Sequence, residues 1–250
     1  MRVPAVVLLA ASLASASGGF AAGGAELLRI RGTAFFRWDF HGADNADPGD
    51  NMGFGADMDW LPRLNGSVDG QFGLKFCSVG GVELGDLFLN LHLGDNLTLR
   101  GGQFVMPFGY AYTLSSAAMP FARRAAVTAA PEFSAYGGRD VGACVAAHLA
   151  PVTLDLVLSN GTGGNAVADN GINKRFTARL IGKPAEWLDL GASAAVIGQP
   201  EAAGGEEPVA GWNGLGLDVF AAAEYPLDGK TSLLFSGEYM SLGYAGPQVG

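Results

Sequence analysis

The chain is 250 residues long, with a formal net charge of −9, 16% charged residues and 39 glycines, and its mean hydropathy is +0.23. That acidic balance excludes a general nucleic-acid binder, which needs a broad basic field. So apolar a composition is also foreign to an ordinary soluble enzyme, yet beyond the N-terminus no apolar run reaches the roughly 18 residues of a membrane helix.

The N-terminus reads as a leader. Arg2 is a short basic region, Val3–Ala14 (VPAVVLLAASLA) is apolar, and Ala14-Ser15-Ala16 has the small-x-small pattern of a cleavage site. The apolar part is shorter than the roughly 20 residues a spanning helix needs, which weighs against a membrane anchor. Residues 1–22 are expected to be a signal peptide and 23–250 a single exported domain.

Downstream the hydrophobicity alternates with period two. In Leu28–His41 the even positions (Leu28, Ile30, Gly32, Ala34, Phe36, Trp38, Phe40) are apolar, and the odd ones carry Arg29, Arg31, Thr33, Arg37, Asp39 and His41, with Phe35 the exception. Strand side chains point alternately to opposite faces, so this is one apolar and one polar face; a helix would scatter the arginines round its circumference. The pattern recurs with Val68, Phe72, Leu74 and Phe76 opposite Ser67, Asp69, Gln71 and Lys75, then with Leu87, Leu89, Leu91 and Leu93 opposite Asp86, Asn90 and His92. Leu97 and Leu99 oppose Thr98 and Arg100, and Val141, Val145 and Leu149 oppose Asp140 and His148. Leu154, Leu156 and Leu158 oppose Thr153, Asp155 and Ser159, and Phe176, Ala178 and Leu180 oppose Arg175, Thr177 and Arg179. Further strands fit Leu188–Val196, Leu215–Tyr225 and Thr231–Met240.

About ten strands of roughly 9 to 13 residues match the length of a tilted membrane-crossing strand. Short turns at Gly94-Asp95-Asn96, Ala150-Pro151 and Leu227-Asp228-Gly229 alternate with long connections at Gly42–Gly53, Tyr110–Gly137, Gly161–Asn173 and Gly198–Asn213. Short turns on one side and long loops on the other belong to outer-membrane barrels, which close every strand edge against lipid. Trp38, Phe40, Trp60, Trp187, Tyr225 and Tyr239 fall near strand ends, where interfacial girdles lie. The expected fold is all-β: an antiparallel transmembrane β-barrel set in the lipid of a bacterial outer membrane.

At Leu97–Gly109 the sequence LTLRGGQFVMPFG resembles the Gly-Gln-Phe-x-x-Pro-Phe-Gly segment of the phosphate-selective porin O and P family, through Gly102, Gln103, Phe104, Pro107, Phe108 and Gly109. The strand before it (VELGDLFLNLHL) and the strand, Asn-Gly loop and Arg-bearing return strand at Leu156–Leu180 are similar to that family in the same order. The resemblance implies a homotrimeric porin of sixteen-stranded barrels; with about ten strands and a turn-like closing GYAGPQVG, 23–250 is expected to be an N-terminal part of one, a smaller barrel being the alternative. It implies a pore lined by Arg29, Arg31, Arg37, Arg100, Arg175 and Arg179, narrowed by the segment after Gly109 that holds Arg123 and Arg124. The implied cargo is small anions such as phosphate, or other hydrophilic solutes; arginines spaced along a pore replace part of an anion's hydration shell. With few lysines, and with Asp44, Asp47, Asp50, Asp57 and Asp59 in and beside the first long loop, a general porin fits as well as a phosphate-specific one. Alternatively the arginines pair with Asp39, Asp86, Asp140 and Asp155, and Pro107 and Gly109 do no more than end a strand.

No nucleophile elbow, HExxH, Walker loop or dinucleotide fingerprint is present, so no enzyme and no cofactor is expected. His41, His92 and His148 sit on separate strands with no metal-ligand spacing, and no metal is expected. Cys77 and Cys144 permit a disulfide without demanding one. Two functions remain: passive diffusion of small hydrophilic solutes, or a non-conducting structural or adhesive barrel.

Overall fold

A computed structural model describes residues 8–22, 25–39, 51–77, 81–114, 136–165, 174–198, 212–226 and 232–244. They form β1 (Leu8–Ala22), β2 (Ala25–Asp39), β3 (Asn51–Pro62), β4 (Val68–Cys77), β5 (Gly81–His92), β6 (Leu97–Val105), α1 (Tyr110–Thr113), β7 (Arg139–Leu149), β8 (Val152–Ser159), β9 (Arg175–Ala185), β10 (Leu188–Gly198), β11 (Trp212–Pro226) and β12 (Ser232–Tyr244). The strands lie in chain order in one antiparallel sheet, the order that hairpin connections produce. No helix among the described residues is long and apolar enough to cross a membrane. The chain divides into two units, residues 1–87 with 116–123, and residues 88–115 with 124–250.

In the first unit β3 corrects the sequence reading, which ends the first long loop at Gly53 and leaves Asp57 and Asp59 on its flank. Met52, Phe54, Ala56, Met58 and Trp60 alternate there with Gly53, Gly55, Asp57 and Asp59, and β3 pairs along the length of β2 from Asn51 opposite Asp39 to Pro62 opposite Leu28. Asp57 stands opposite Lys75 of β4, and Trp60 opposite Phe72, their rings stacked at 5.1 Å. β1 occupies the residues expected of the leader, paired with β2 from Leu8 opposite Asp39 to Ala22 opposite Ala25. Cleavage of a leader at residue 22 would remove all of β1.

In the second unit the exposure of successive residues alternates, and in the opposite sense to a water-soluble sheet. β8 buries Asp155, Val157 and Ser159 and exposes Leu156 and Leu158. β9 buries Arg175 and Thr177 and exposes Phe176 and Leu180. β11 buries Asp218 and Phe220 and exposes Leu215, Leu217 and Val219. Val141 and Val145 of β7 and Leu233, Phe235 and Tyr239 of β12 extend the exposed apolar surface. Asp155, Arg179, Ser193 and Asp218 are successive register partners across β8–β11, so the polar residues form a lateral belt on the covered face.

Part of what covers that face is the chain that follows β6. One cluster joins Phe104, Met106, Cys144 and Val157, with Phe88 and Ala146 against it. A second joins Phe108, Tyr136, Ala195 and Ile197, packed on Tyr112, Met240 and Leu242. Each large apolar side chain so buried contributes about 1.5–3 kcal/mol.

Candidate pore lining and inward segment

The Gly-Gln-Phe-x-x-Pro-Phe-Gly stretch is where the chain leaves β6 and turns onto the covered face. Gln103 is exchanged with Asn165 of the connection after β8: its amide donates to Asn165 Oδ1 at 3.0 Å and its carbonyl accepts Asn165 N–H at 2.7 Å. Met106 N–H donates to Gly138 O at 2.8 Å, which joins the start of the inward segment to its return. Gly109 has φ 80, a left-handed conformation that side chains rarely adopt, and α1 begins directly after it. The motif residues thus redirect the backbone.

The segment is seated on β10–β12. Glu238 accepts the N–H groups of Tyr110 and Ala111. The Tyr110 ring stacks on Phe220 at 4.4 Å, and the Tyr136 hydroxyl donates to Gly243 O. The seat exists because β11 has no side chains there. A Cβ at Gly216 would lie 2.6 Å from Tyr136 Cδ1 and 2.9 Å from Phe108 Cζ, and one at Gly214 would lie 2.7 Å from the Tyr136 hydroxyl. Glycine in a strand commonly marks such a close approach.

The arginines divide by what they touch. Arg175, expected to line a pore, is 1% exposed; its guanidinium bonds Asp140 Oδ2 at 2.8 Å, Gly137 O at 2.9 Å and Ser159 Oγ at 3.2 Å. Asp140 also accepts the N–H groups of Gly161 and Val141. Desolvation of both ions is offset here by these hydrogen bonds, and the charge is neutralised where it is buried. Arg179, partly exposed, bonds Asp155 Oδ2 through Nε and Nη2 at 3.0 and 2.7 Å. These two pairings follow the ion-pair alternative drawn from the sequence.

Arg100 differs. Its Nε donates to Asn90 Oδ1 at 2.8 Å, and its guanidinium lies 4.2 Å from the Phe88 ring centroid and 5.5 Å from that of Phe104. Aromatic faces attract the cation without neutralising it, and among the described residues no carboxylate forms an ion pair with it. Arg29 is exposed on β2. Arg31 and Arg37 occupy register positions opposite Asp59 and Gly53, with side chains outside the described part of the structure. Arg123 and Arg124 lie outside the described residues.

Among the described residues no three metal-ligating side chains come together. His92 shares a hydrogen bond with Thr98 at 3.0 Å and His148 one with Thr153 at 3.5 Å; His41 lies outside the described residues. Cys144 is a buried free thiol. Sequence reasoning did not single out Tyr110, Tyr136, Asp218 and Glu238, whose partners are distant in the chain; the Gly-x-Gly-x-Asp alternation of β11 was their only local signal. No protein-family model and no curated protein matches this chain.

Proposed function

We propose that the chain is exported, closes as a β-barrel in a bacterial outer membrane, and lets small hydrophilic solutes cross by passive diffusion. The observation that carries this reading is the inverted alternation of the second unit, with Leu156, Leu158, Phe176, Leu180, Leu215, Leu217 and Val219 exposed and Asp155, Arg175, Thr177 and Asp218 buried. A continuous exposed apolar surface is unfavourable in water and is what lipid requires. The inward segment supports a narrowed lumen, in keeping with the resemblance to phosphate-selective porins. Pairing of Arg175 and Arg179 with aspartates leaves fewer free cations than an arginine ladder needs, so the solute range is broad, with anions such as phosphate among the cargo. The homotrimer belongs to the same proposal, and cross-linking in the membrane tests it.

Stepwise ion conductance in planar bilayers, together with heat-modifiable migration on a gel, is the expected result. The second reading, a non-conducting structural barrel, is favoured by the complete burial of Met106, Phe108 and Tyr136. A protein that inserts and is heat-modifiable but stays electrically silent selects that reading.

A further inference from the structure

Asp218 of β11 and Glu238 of β12 lie beneath the inward segment. Asp218 stands opposite Met240 and Phe220 opposite Glu238, so the two carboxyl groups are diagonal neighbours on one face, within hydrogen-bonding reach of each other. Glu238 already accepts the N–H groups of Tyr110 and Ala111. Asp218 is 2% exposed; Ser193 Oγ donates to its Oδ2 at 2.9 Å and the backbone N–H of Gly109 also faces the carboxyl, while Oδ1 is buried without a hydrogen-bond partner. A buried oxygen left without a partner costs about 1–3 kcal/mol, more when charged, and two ionised carboxylates in contact repel.

Among the described residues no lysine or arginine forms an ion pair with Asp218 or Glu238. Arg179 of β9 acts on Asp218 from a distance and is committed to Asp155. On the side of α1 the Tyr110 phenol interacts with Glu238, and burial and then Asp189 hold it above its ordinary value. Lys183 of β9, which also acts on Tyr110, is paired with Asp189 at 3.1 Å, and Glu224 of β11 adds only negative charge.

One proton completes the hydrogen-bond inventory. We propose that Asp218 and Glu238 share a single proton, carried on Asp218 Oδ1 and donated to Glu238, and that this proton fastens the inward segment to β11 and β12. Asp218 Oδ1 then becomes a donor, and the one remaining negative charge sits on Glu238, facing two backbone N–H groups. Removing the proton leaves two like charges in contact, which Glu238 relieves by turning away from Asp218 and releasing Tyr110 and Ala111. The fastening stands on these contacts; its consequence for conductance rests on the channel reading.

The test uses the purified chain in lipid vesicles. Infrared spectroscopy is expected to show a protonated-carboxyl C=O band in the wild type that is missing from both Asp218→Asn and Glu238→Gln. Hydrogen exchange at the Tyr110 and Ala111 amides supplies the second readout. In alkaline buffer the wild type is expected to exchange about tenfold faster there than Asp218→Asn at the same pH, because the asparagine amide donates to Glu238 at any pH. A wild type without that band, or an Asp218→Asn variant with the wild-type pH response, overturns the proposal. Electrically silent bilayers would count against the channel while leaving both readouts intact.

Discussion

Arg175 and Asp140 meet at 2.8 Å with side chains 1% and 0% exposed, and the pair ties three separate pieces of chain together. Asp140 opens β7 and holds Gly161 of the connection after β8, while Arg175 opens β9 and holds Gly137 at the return of the inward segment. Replacing only one partner strands a buried charge. Asp140→Ala is therefore expected to destabilise the fold by about 3–5 kcal/mol, whereas the double replacement Asp140→Leu with Arg175→Met recovers most of that loss. Urea unfolding in lipid vesicles measures both. Equal losses in the single and double variants would show that the charges are not compensating one another.

The glycine seat makes a second prediction. A methyl group at Gly216 meets two aromatic rings, Tyr136 and Phe108, both completely buried. Gly216→Ala is expected to cost about 1–3 kcal/mol through overpacking and to displace the inward segment, raising single-channel conductance. Gly237→Ala, with nothing within 4 Å of its Cβ position, is the control and leaves conductance unchanged. If Gly216→Ala conducts as the wild type does, the segment does not narrow the path.

The exposed face separates a membrane barrel from a soluble sheet. Leu217 is 47% exposed, and in water a lysine there would change stability by no more than about 0.5 kcal/mol. In a bilayer the same lysine costs about 2–4 kcal/mol near the midplane. Leu217→Lys is thus expected to fold poorly in vesicles while leaving the polar covered face untouched. Wild-type folding of that variant in lipid would place Leu217 away from the hydrocarbon.

How much of this was legible from the sequence depends on the range of the interaction. Alternation is local, so the faces of β7, β8 and β9 could be read directly, and their exposed leucines fall where the pattern puts them. β3 was legible only in part, because Gly53 and Gly55 blunt the contrast between its faces while Asp57, Met58, Asp59 and Trp60 still alternate. The ion pairs were foreseen as an alternative, since a polar face holding both signs must neutralise some charge. Which arginine takes which aspartate is set by register: Arg179 stands opposite Asp155, and Arg175 reaches diagonally to Asp140. Glu238 and Tyr110 are 128 positions apart, and no periodicity reports such a contact.

Leader and first strand compete for the same residues, and the mature N-terminus decides between them. Cleavage after Ala16 would remove more than half of β1 and cleavage at residue 22 all of it, leaving the β2 edge to another strand. Because β1 (LLAASLASASGGFAA) carries no charge on either face, unlike β2, removal is the expected outcome. Peptide mass mapping of outer-membrane material should find no peptide from residues 8–16. Recovery of those residues from the mature protein would establish β1 as a permanent strand and end the leader reading.

Arg100 makes the sharpest test of solute selection. Its Nε is fixed by Asn90 and its guanidinium is held against Phe88 and Phe104, yet no carboxylate among the described residues neutralises it. Arg179 already donates twice to Asp155. Removing a cation that no carboxylate among the described residues pairs with changes the net field along the path, whereas removing one member of an ion pair exposes its partner and costs stability first. Arg100→Ala is therefore expected to shift the reversal potential in a salt gradient toward cations with little loss of fold. Arg179→Ala is expected to show its main effect in unfolding, with the Asp155 charge adding a smaller cation shift. Arg100→Lys retains the charge but not the planar stack on the rings, so it should keep the wild-type reversal potential. An Arg100→Ala channel with unchanged reversal potential would mean that Arg100 does not face the solute path.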